Sequence, residues 1–472
     1  MNNKTRAVAL MLALAGVSAL VLPSCSFPGN SSSPEGGASP FPSPDASFPP
    51  RDLGVYETYA QQTLLDMYET WWVDNSKGGN VVQTGWGVPG PPFDDMIWAF
   101  AMMTFGIYTY WDGERGVDQA VRLQAQYEWC RANVPNRTSN FGGAPNIAAD
   151  DCGWNAMFFM QVYLAAGDLR ARDDALAVIR GSYDYYKDGD TANGLWYPQK
   201  PPSQGYDDTH GTPGDNRFKS LYNVGLISAA LDLLLDAKKN DPDGWQAEYG
   251  ALYTDTLNVY NWSEKHLLRG GAYSVTRQNG ETSEYFCDDY LYWCDYSEDR
   301  SGRDERTGPD GGVRPNDIGE AGSVSFLGGN MGMAVCHALL YQLTGEEIYL
   351  ERAIRTAKAL TDSPLYNRNG VLLSDRDGWT NGTFAGRYVR DVLTLPGIRA
   401  EDQELILKTG ESCYQNARTQ INGKWYYKAE WSGGGKWTSG GTTPDQIMTS
   451  GSTANMILAA GLLETLQKQG KA

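Results

Sequence analysis

Adjacent aspartates recur along this 472-residue chain, at 94–95, 150–151, 173–174, 207–208 and 288–289. Two carboxyl groups can divide the work of breaking a glycosidic bond, one protonating the leaving oxygen while the other attacks the anomeric carbon or activates water. Residue type alone does not separate five such pairs in an acidic protein, so position must. Asp173-Asp174 falls within a helical pattern away from its start and reads as solvated surface. Asp207-Asp208 and Asp288-Asp289 fall in long loops, where turn and cation-binding roles compete with substrate contact. Asp94-Asp95 and Asp150-Asp151 each stand where an apolar helical pattern begins. An Asp there also serves as a cap, accepting hydrogen bonds from free backbone N–H groups and favoured by the helix dipole. One residue of a pair can cap while its neighbour faces a cleft. A helix start lowers a carboxyl pKa, which suits a nucleophile, whereas an acid needs desolvation or the charge of its neighbour to hold its proton.

Other chemistries have little to build on. The three histidines, His210, His266 and His337, are isolated, and His337 sits inside the apolar run from Met333 to Leu343, where it reads as a satisfied core residue. No CxxC or His/Cys spacing suits zinc, so neither a metal centre nor a Ser-His-Asp triad is expected. The acidic stretch from Cys287 to Gly312 lacks EF-hand ligand spacing and reads as a solvated loop. With 39 Lys and Arg against 57 Asp and Glu, the net charge of −18 disfavours nucleic acid and favours a neutral or cationic partner. Fifteen Trp and 28 Tyr supply flat faces that suit sugar rings as well as cores.

The elements that must hold these residues are helices. A 3.6-residue apolar period predicts twelve, near 51–73, 94–112, 115–133, 152–167, 168–187, 217–238, 244–262, 323–344, 346–362, 383–395, 399–421 and 447–468. Tight turns such as Gly167-Asp168 and Thr344-Gly345 join some neighbours, and long Gly-, Pro- and Asp-rich segments precede every second helix. In antiparallel hairpins this alternation places all the long loops on one rim. The expected architecture is all-α, an (α/α)6 toroid of six helical hairpins, with short β-hairpins such as 271–281 and 424–431 inside the rim loops. Asp94-Asp95…Trp98 and Asp150-Asp151…Trp154 repeat the same spacing one hairpin apart.

The stretch Asp150-Asp151-Cys-Gly-Trp154, running to Tyr163 and Gly167-Asp168, resembles the signature of glycoside hydrolase family 76. Further segments agree in order: Gly194-Leu195-Trp196-Tyr197, Lys219 at a helix start, the hairpin from Ala338 through Thr344-Gly345 to Tyr349-Leu350, and Phe384-Ala385-Gly386 with Arg390. The resemblance implies a retaining endo-α-1,6-mannanase with Asp150 as nucleophile and Asp151 as general acid/base, and no cofactor. It departs from the family pattern at Gly328-Gly329-Asn330-Met331, at Ala385 and at Val224. Candidate substrate contacts are Asp94, Asp95, Trp86, Trp98, Trp154, Lys219, Asn223, Asn330, Trp379 and Arg390. Two other readings use the same residues: an unsaturated uronyl hydrolase on the same toroid, and a non-catalytic protein that captures glycans with its aromatic rim.

Ahead of this body, Lys4 and Arg6 precede an apolar run from Ala7 to Leu22, read as a signal peptide over 1–24. Leu22-Pro23-Ser24-Cys25 resembles a bacterial lipobox, although Pro23 is unusual there, and makes Cys25 the lipid-bearing residue. Residues 25–50 are a Pro-, Ser- and Gly-rich tether, and 51–472 form the catalytic domain. The expected product is an exported, membrane-anchored bacterial lipoprotein at the cell surface or in the periplasm. It is expected to be a monomer acting on a neutral polysaccharide or oligosaccharide. Export also allows disulfides, with Cys287 and Cys294 spaced to staple one loop.

Overall fold

The computed structural model describes residues 53–75, 79–82, 117–133, 149–186, 195, 218–268, 271–276, 282–287, 290–293, 295–297, 305–307, 313–314, 327–363, 366–373, 381–432 and 447–472. Helices dominate. They are α1 (Val55–Trp71), α2 (Val117–Asn133), α3 (Ala149–Ala166), α4 (Leu169–Tyr186), α5 (Val224–Asn240), α6 (Trp245–His266), α7 (Leu327–Thr344), α8 (Glu347–Asp362), α9 (Ala385–Arg387), α10 (Ala400–Ser412) and α11 (Ile447–Lys468). Two of them change pitch at their ends: α9 continues as a π-helical turn over Tyr388–Val392, and α10 over Cys413–Ala417. The helix expected at 94–112 lies outside the described residues, as do the segments 1–24 and 25–50 and the residue Cys294. No described helix is long and apolar enough to cross a membrane.

The short turns form as their sequences dictate. Gly167 and Gly345 adopt left-handed backbones, with φ of 72° and 75°. Their N–H groups donate to the carbonyls of Tyr163 and Tyr341, both at 2.7 Å, which closes α3 and α7 with a glycine that carries no Cβ penalty. Asp168 then accepts the N–H of Arg170, and Thr344 the N–H of Glu346, so each next helix starts within two residues.

Alternate helices pack in sequence, α3 on α5, α5 on α7, α7 on the π-turn after α9, and α9 on α11, while α2, α4, α6, α8, α10 and α1 pack outside them. The inner row is unusually close. A Cβ placed on Gly153 of α3 would lie 2.8 Å from the backbone nitrogen of Leu226, and one on Gly225 of α5 would lie 3.1 Å from the Gly153 carbonyl carbon. Glycine here lets two helix backbones touch.

Strands occupy the connections, beginning with β1 (Trp72–Asn75) and β2 (Gly79–Val82), which pair antiparallel after α1. Six of them, β3 (Phe218–Ser220), β4 (Gly271–Thr276), β5 (Thr282–Cys287), β6 (Asp295–Ser297), β7 (Glu305–Thr307) and β8 (Val313–Arg314), form one antiparallel sheet in the order β3-β6-β8-β7-β4-β5. The hairpin expected near 271–281 is therefore part of a larger sheet that reaches into the supposed solvated loop. No sheet closes into a barrel among the described residues.

Two boundaries need correction. The helix expected over 217–238 begins as strand β3 and a 3-10 turn at Leu221–Asn223 before α5 starts. The helix expected over 399–421 ends at Ala417, because Arg418–Ile421 pairs with Lys424–Tyr427 around Asn422-Gly423. Both turn residues have positive φ, 52° and 83°, the Asn-Gly signature of a two-residue hairpin. That local signal outweighs the helical period.

Candidate active site

Asp150 and Asp151 lie in the first turn of α3. Asp150 is 7% exposed and Asp151 half-buried, so the pair is partly withdrawn from water at a helix N-terminus whose dipole favours negative charge. Trp154 follows Asp150 by four residues, which places it one turn deeper on the same face. It is 2% exposed, and its ring meets Phe384 of the turn before α9, with centroids 6.1 Å apart.

The same level is filled from the other helices. A Cβ on Gly332 of α7 would come within 2.8–2.9 Å of the Val224 methyl groups and the Phe384 ring. Trp154, Val224, Gly332 and Phe384 thus pack together near the starts of the inner helices. Trp154 underpins this floor rather than standing free as a sugar platform. Val224 and Phe384 are both buried, so the departure at Val224 places an apolar group in the floor.

Asn223 immediately precedes α5, and α5 touches α3 through Gly225 and Gly153. Its Nδ2 donates to the Leu195 carbonyl at 3.1 Å, while Oδ1 has no partner among the described residues. One half of this amide anchors the segment at Leu195, and the other half remains available. Lys219 sits on β3 opposite Tyr296, two residues before the turn that opens α5. Phe218, Lys219 and Ser220 therefore tie the sheet to the start of an inner helix.

Asn330 and Arg390 do not fit the role of exposed sugar contacts. Asn330 is fully buried; its Oδ1 accepts the Tyr292 N–H at 2.7 Å, and its Nδ2 donates to the Tyr292 carbonyl and to the Tyr366 hydroxyl. Its amide holds the backbone at Tyr292. Arg390 lies in the π-turn below Phe384, and its guanidinium bonds Asp391 at 2.8 Å. Asp391 also receives Arg387, which grips Asp232 of α5 through two bonds of 2.7 and 2.8 Å. Burial pushes the Asp391 carboxyl up, but Arg390 and Arg387 outweigh it and hold the pKa at about 2. Trp86, Asp94, Asp95, Trp98, Trp379 and the anchor residue Cys25 lie outside the described residues.

His337 is a core residue, as its apolar surroundings in sequence imply. It is fully buried between the hydroxyls of Tyr260 at Nδ1 and Tyr292 at Nε2, both at 2.9 Å. Tyr292 donates to Glu264 in a very short bond, so it must accept from Nε2–H; Nδ1 then accepts from Tyr260, whose oxygen accepts Arg352 at 2.8 Å. One neutral tautomer satisfies the whole chain. Burial holds the imidazole pKa well below its usual value and raises that of the Glu264 carboxyl. Cys130, Cys152, Cys336 and Cys413 are all fully buried.

No protein-family model and no curated protein matches the chain. Solved structures do. An α-1,6-mannanase of family 76 from Salegentibacter sp. HEL1_6 aligns at a TM-score of 0.56 and 17% identity, covering 86% of this chain and 99% of its own. The chain shares its fold with family 76 glycoside hydrolases. A family 76 mannosidase from Bacteroides thetaiotaomicron VPI-5482 aligns at 0.56 and 13% identity over 88% and 100% of the two chains. An unsaturated glucuronyl hydrolase specific for heparin follows at 0.51 and 11% identity over 88% and 98%. A variant of the Salegentibacter mannanase described as inactive, with two consecutive aspartates replaced by alanine, was solved with α-1,6-mannotetrose.

Proposed function

We propose that this chain is a glycosidase that cleaves α-1,6-linked mannan internally and with retention of configuration. The observation that carries this reading is the consecutive carboxyl pair at the start of α3, with Asp150 directly above the Trp154–Phe384 floor. The inactive Salegentibacter variant, altered at two consecutive aspartates, is consistent with it. Asp150 attacks the anomeric carbon while Asp151 gives its proton to the departing glycosidic oxygen, so that a glycosyl ester forms as the C–O bond breaks. Asp151, now a carboxylate, takes a proton from water, which attacks the same carbon and releases Asp150. Side chains of neighbouring residues diverging from a helix start can reach the separation of about 5 Å that retention requires.

In this reading the undescribed segment 94–112 supplies the sixth inner helix and completes an (α/α)6 toroid. Asp94, Asp95, Trp86, Trp98 and Trp379 contribute sugar contacts. Residues 1–24 direct export, and a lipid on Cys25 tethers a monomer through 25–50 to a bacterial membrane. The similarity to the glucuronyl hydrolase supports one rival, hydrolysis of an unsaturated uronide, although the charge of −18 disfavours an anionic substrate.

The test is to incubate the full chain, with its Asp150→Asn and Asp151→Asn variants, with α-1,6-mannan and with unsaturated uronyl oligosaccharides. Release of mannooligosaccharides by the parent and a loss of at least about a hundredfold in each variant is expected, since each carboxyl acts in the bond-breaking step. Binding without cleavage selects glycan capture, and release of unsaturated uronate selects the rival enzyme.

A further inference from the structure

Asn381 is absent from the sequence-derived candidates, yet its placement parallels that of Asp150. It opens the turn of residues 381–384, in which Ala385 N–H bonds the Gly382 carbonyl at 3.1 Å and Tyr388 N–H the Phe384 carbonyl at 2.7 Å. Asn381 precedes Phe384 by three residues across this turn, as Asp150 precedes Trp154 by four along α3. Because the Phe384 and Trp154 rings meet at 6.1 Å, the segment that carries Asn381 and the first turns of α3 come together at one aromatic contact.

The Asn381 side chain is 0% exposed, and neither its Nδ2 nor its Oδ1 has a hydrogen-bond partner among the described residues. Such an amide carries a desolvation penalty unless an enclosed polar molecule bonds it. Its backbone is fixed. A Cβ on Gly382 would fall 1.8 Å from the Ser452 carbonyl oxygen of α11, and the Gly382 N–H donates to Ser452 Oγ at 2.9 Å. The amide is thus pre-positioned at the floor with its bonding capacity unused, as expected of a group that waits for ligand.

We propose that Asn381 is a substrate-binding residue whose amide pairs with a hydroxyl of the mannosyl unit held over Asp150, displacing any water bonded there. This assignment rests on the mannan-cleaving reading given above. The amide offers a donor and an acceptor together, which matches a hydroxyl that is both, and it discriminates against a sugar lacking that hydroxyl.

The test compares the full chain with its Asn381→Leu and Asn381→Gln variants. The readouts are kcat/KM on α-1,6-mannan, mannotetraose affinity by calorimetry in the Asp150→Asn background, and the unfolding midpoint. Leu removes the polar atoms at similar volume. The expected result is a kcat/KM and an affinity for mannotetraose each lowered about tenfold or more in Asn381→Leu, with an unfolding midpoint equal to or above the parent's. A lowered midpoint with unchanged affinity and kcat/KM would show the amide bonding a structural water instead, and would overturn the proposal. Unaltered values in every readout would overturn it too. A parent that cleaves and binds mannan while Asn381→Leu matches it refutes this role alone; a parent that neither cleaves nor binds mannan refutes the functional reading with it.

Discussion

Gly153→Ala probes the contact that places the carboxyl pair. The new methyl carbon would meet Leu226 N at 2.8 Å and the Gly225 carbonyl carbon at 3.1 Å, both backbone atoms that no side-chain rotation can move. The helices α3 and α5 must separate by several tenths of an ångström. Overpacking of this kind costs about 1–3 kcal/mol, offset by about 1 kcal/mol because alanine favours a helix over glycine. The net loss is about 0–2 kcal/mol, and for a folded body of roughly 400 residues that lowers the unfolding midpoint by only about 2 °C. Catalysis is the more sensitive readout. Asp150 and Asp151 ride on the first turn of α3, while Asn223 and β3 lead into α5, so separation changes the distance between the acid pair and the groups around it. A displacement of that order is expected to lower kcat on α-1,6-mannan about tenfold to a hundredfold, with KM changed less. Calorimetry and initial-rate measurements on Gly153→Ala and Gly225→Ala check both parts. A Gly153→Ala protein with parental kcat and a raised midpoint would refute the argument, since it would show that the helices leave room for a methyl group.

His337 and Asn330 supply two further tests. The folded-state pKa of His337 lies well below its unfolded value near 6.5, so the unfolded chain binds the extra proton and stability falls as pH drops below about 6.5, by up to about 1.4 kcal/mol per pH unit. Glu264, raised by burial, acts in the opposite sense above its unfolded pKa, so the comparison of parent with His337→Gln isolates the imidazole. Denaturation midpoints from pH 5 to 7 should slope less steeply in the variant; an equal slope would contradict the buried neutral imidazole. Asn330→Ala should cost about 2–3 kcal/mol of stability through the abandoned Tyr292 backbone groups. Urea titration measures it, and parental stability with weakened glycan binding would restore Asn330 as a sugar contact.

The legible parts of the fold were those set by local chemistry. Gly167-Asp168 and Thr344-Gly345 announce hairpin turns because left-handed φ falls to glycine, and the structure closes α3 and α7 there. The apolar run around His337 likewise foretells its burial. Asn330 misled because a polar residue near an inner-helix start has the same appearance in sequence whether it faces a cleft or clamps a distant backbone; its partner Tyr292 is 38 residues away. Arg390 misled for the same reason, its charge being taken up by Asp391. Asn381 carried a weak signal, an Asn-Gly pair ahead of a buried aromatic, which by itself indicates a turn. Its unspent amide becomes visible only when α11 and Phe384 are packed beside it.

The two misread residues and the overlooked one share a physical lesson about this mouth. A polar side chain whose hydrogen bonds are already made inside the protein, as in Asn330, adds rigidity and has little to offer a ligand. One enclosed without partners, as in Asn381, has paid its desolvation before any sugar arrives and recovers that cost on binding. The same distinction divides Asn223 within a single amide, its nitrogen spent on Leu195 and its oxygen without a partner among the described residues. Specificity at the floor should therefore depend on Asn381 and on Oδ1 of Asn223. The Asn330–Tyr292–His337–Glu264 network sets instead how firmly the segment 290–293, which leads into strand β6, is held above α7.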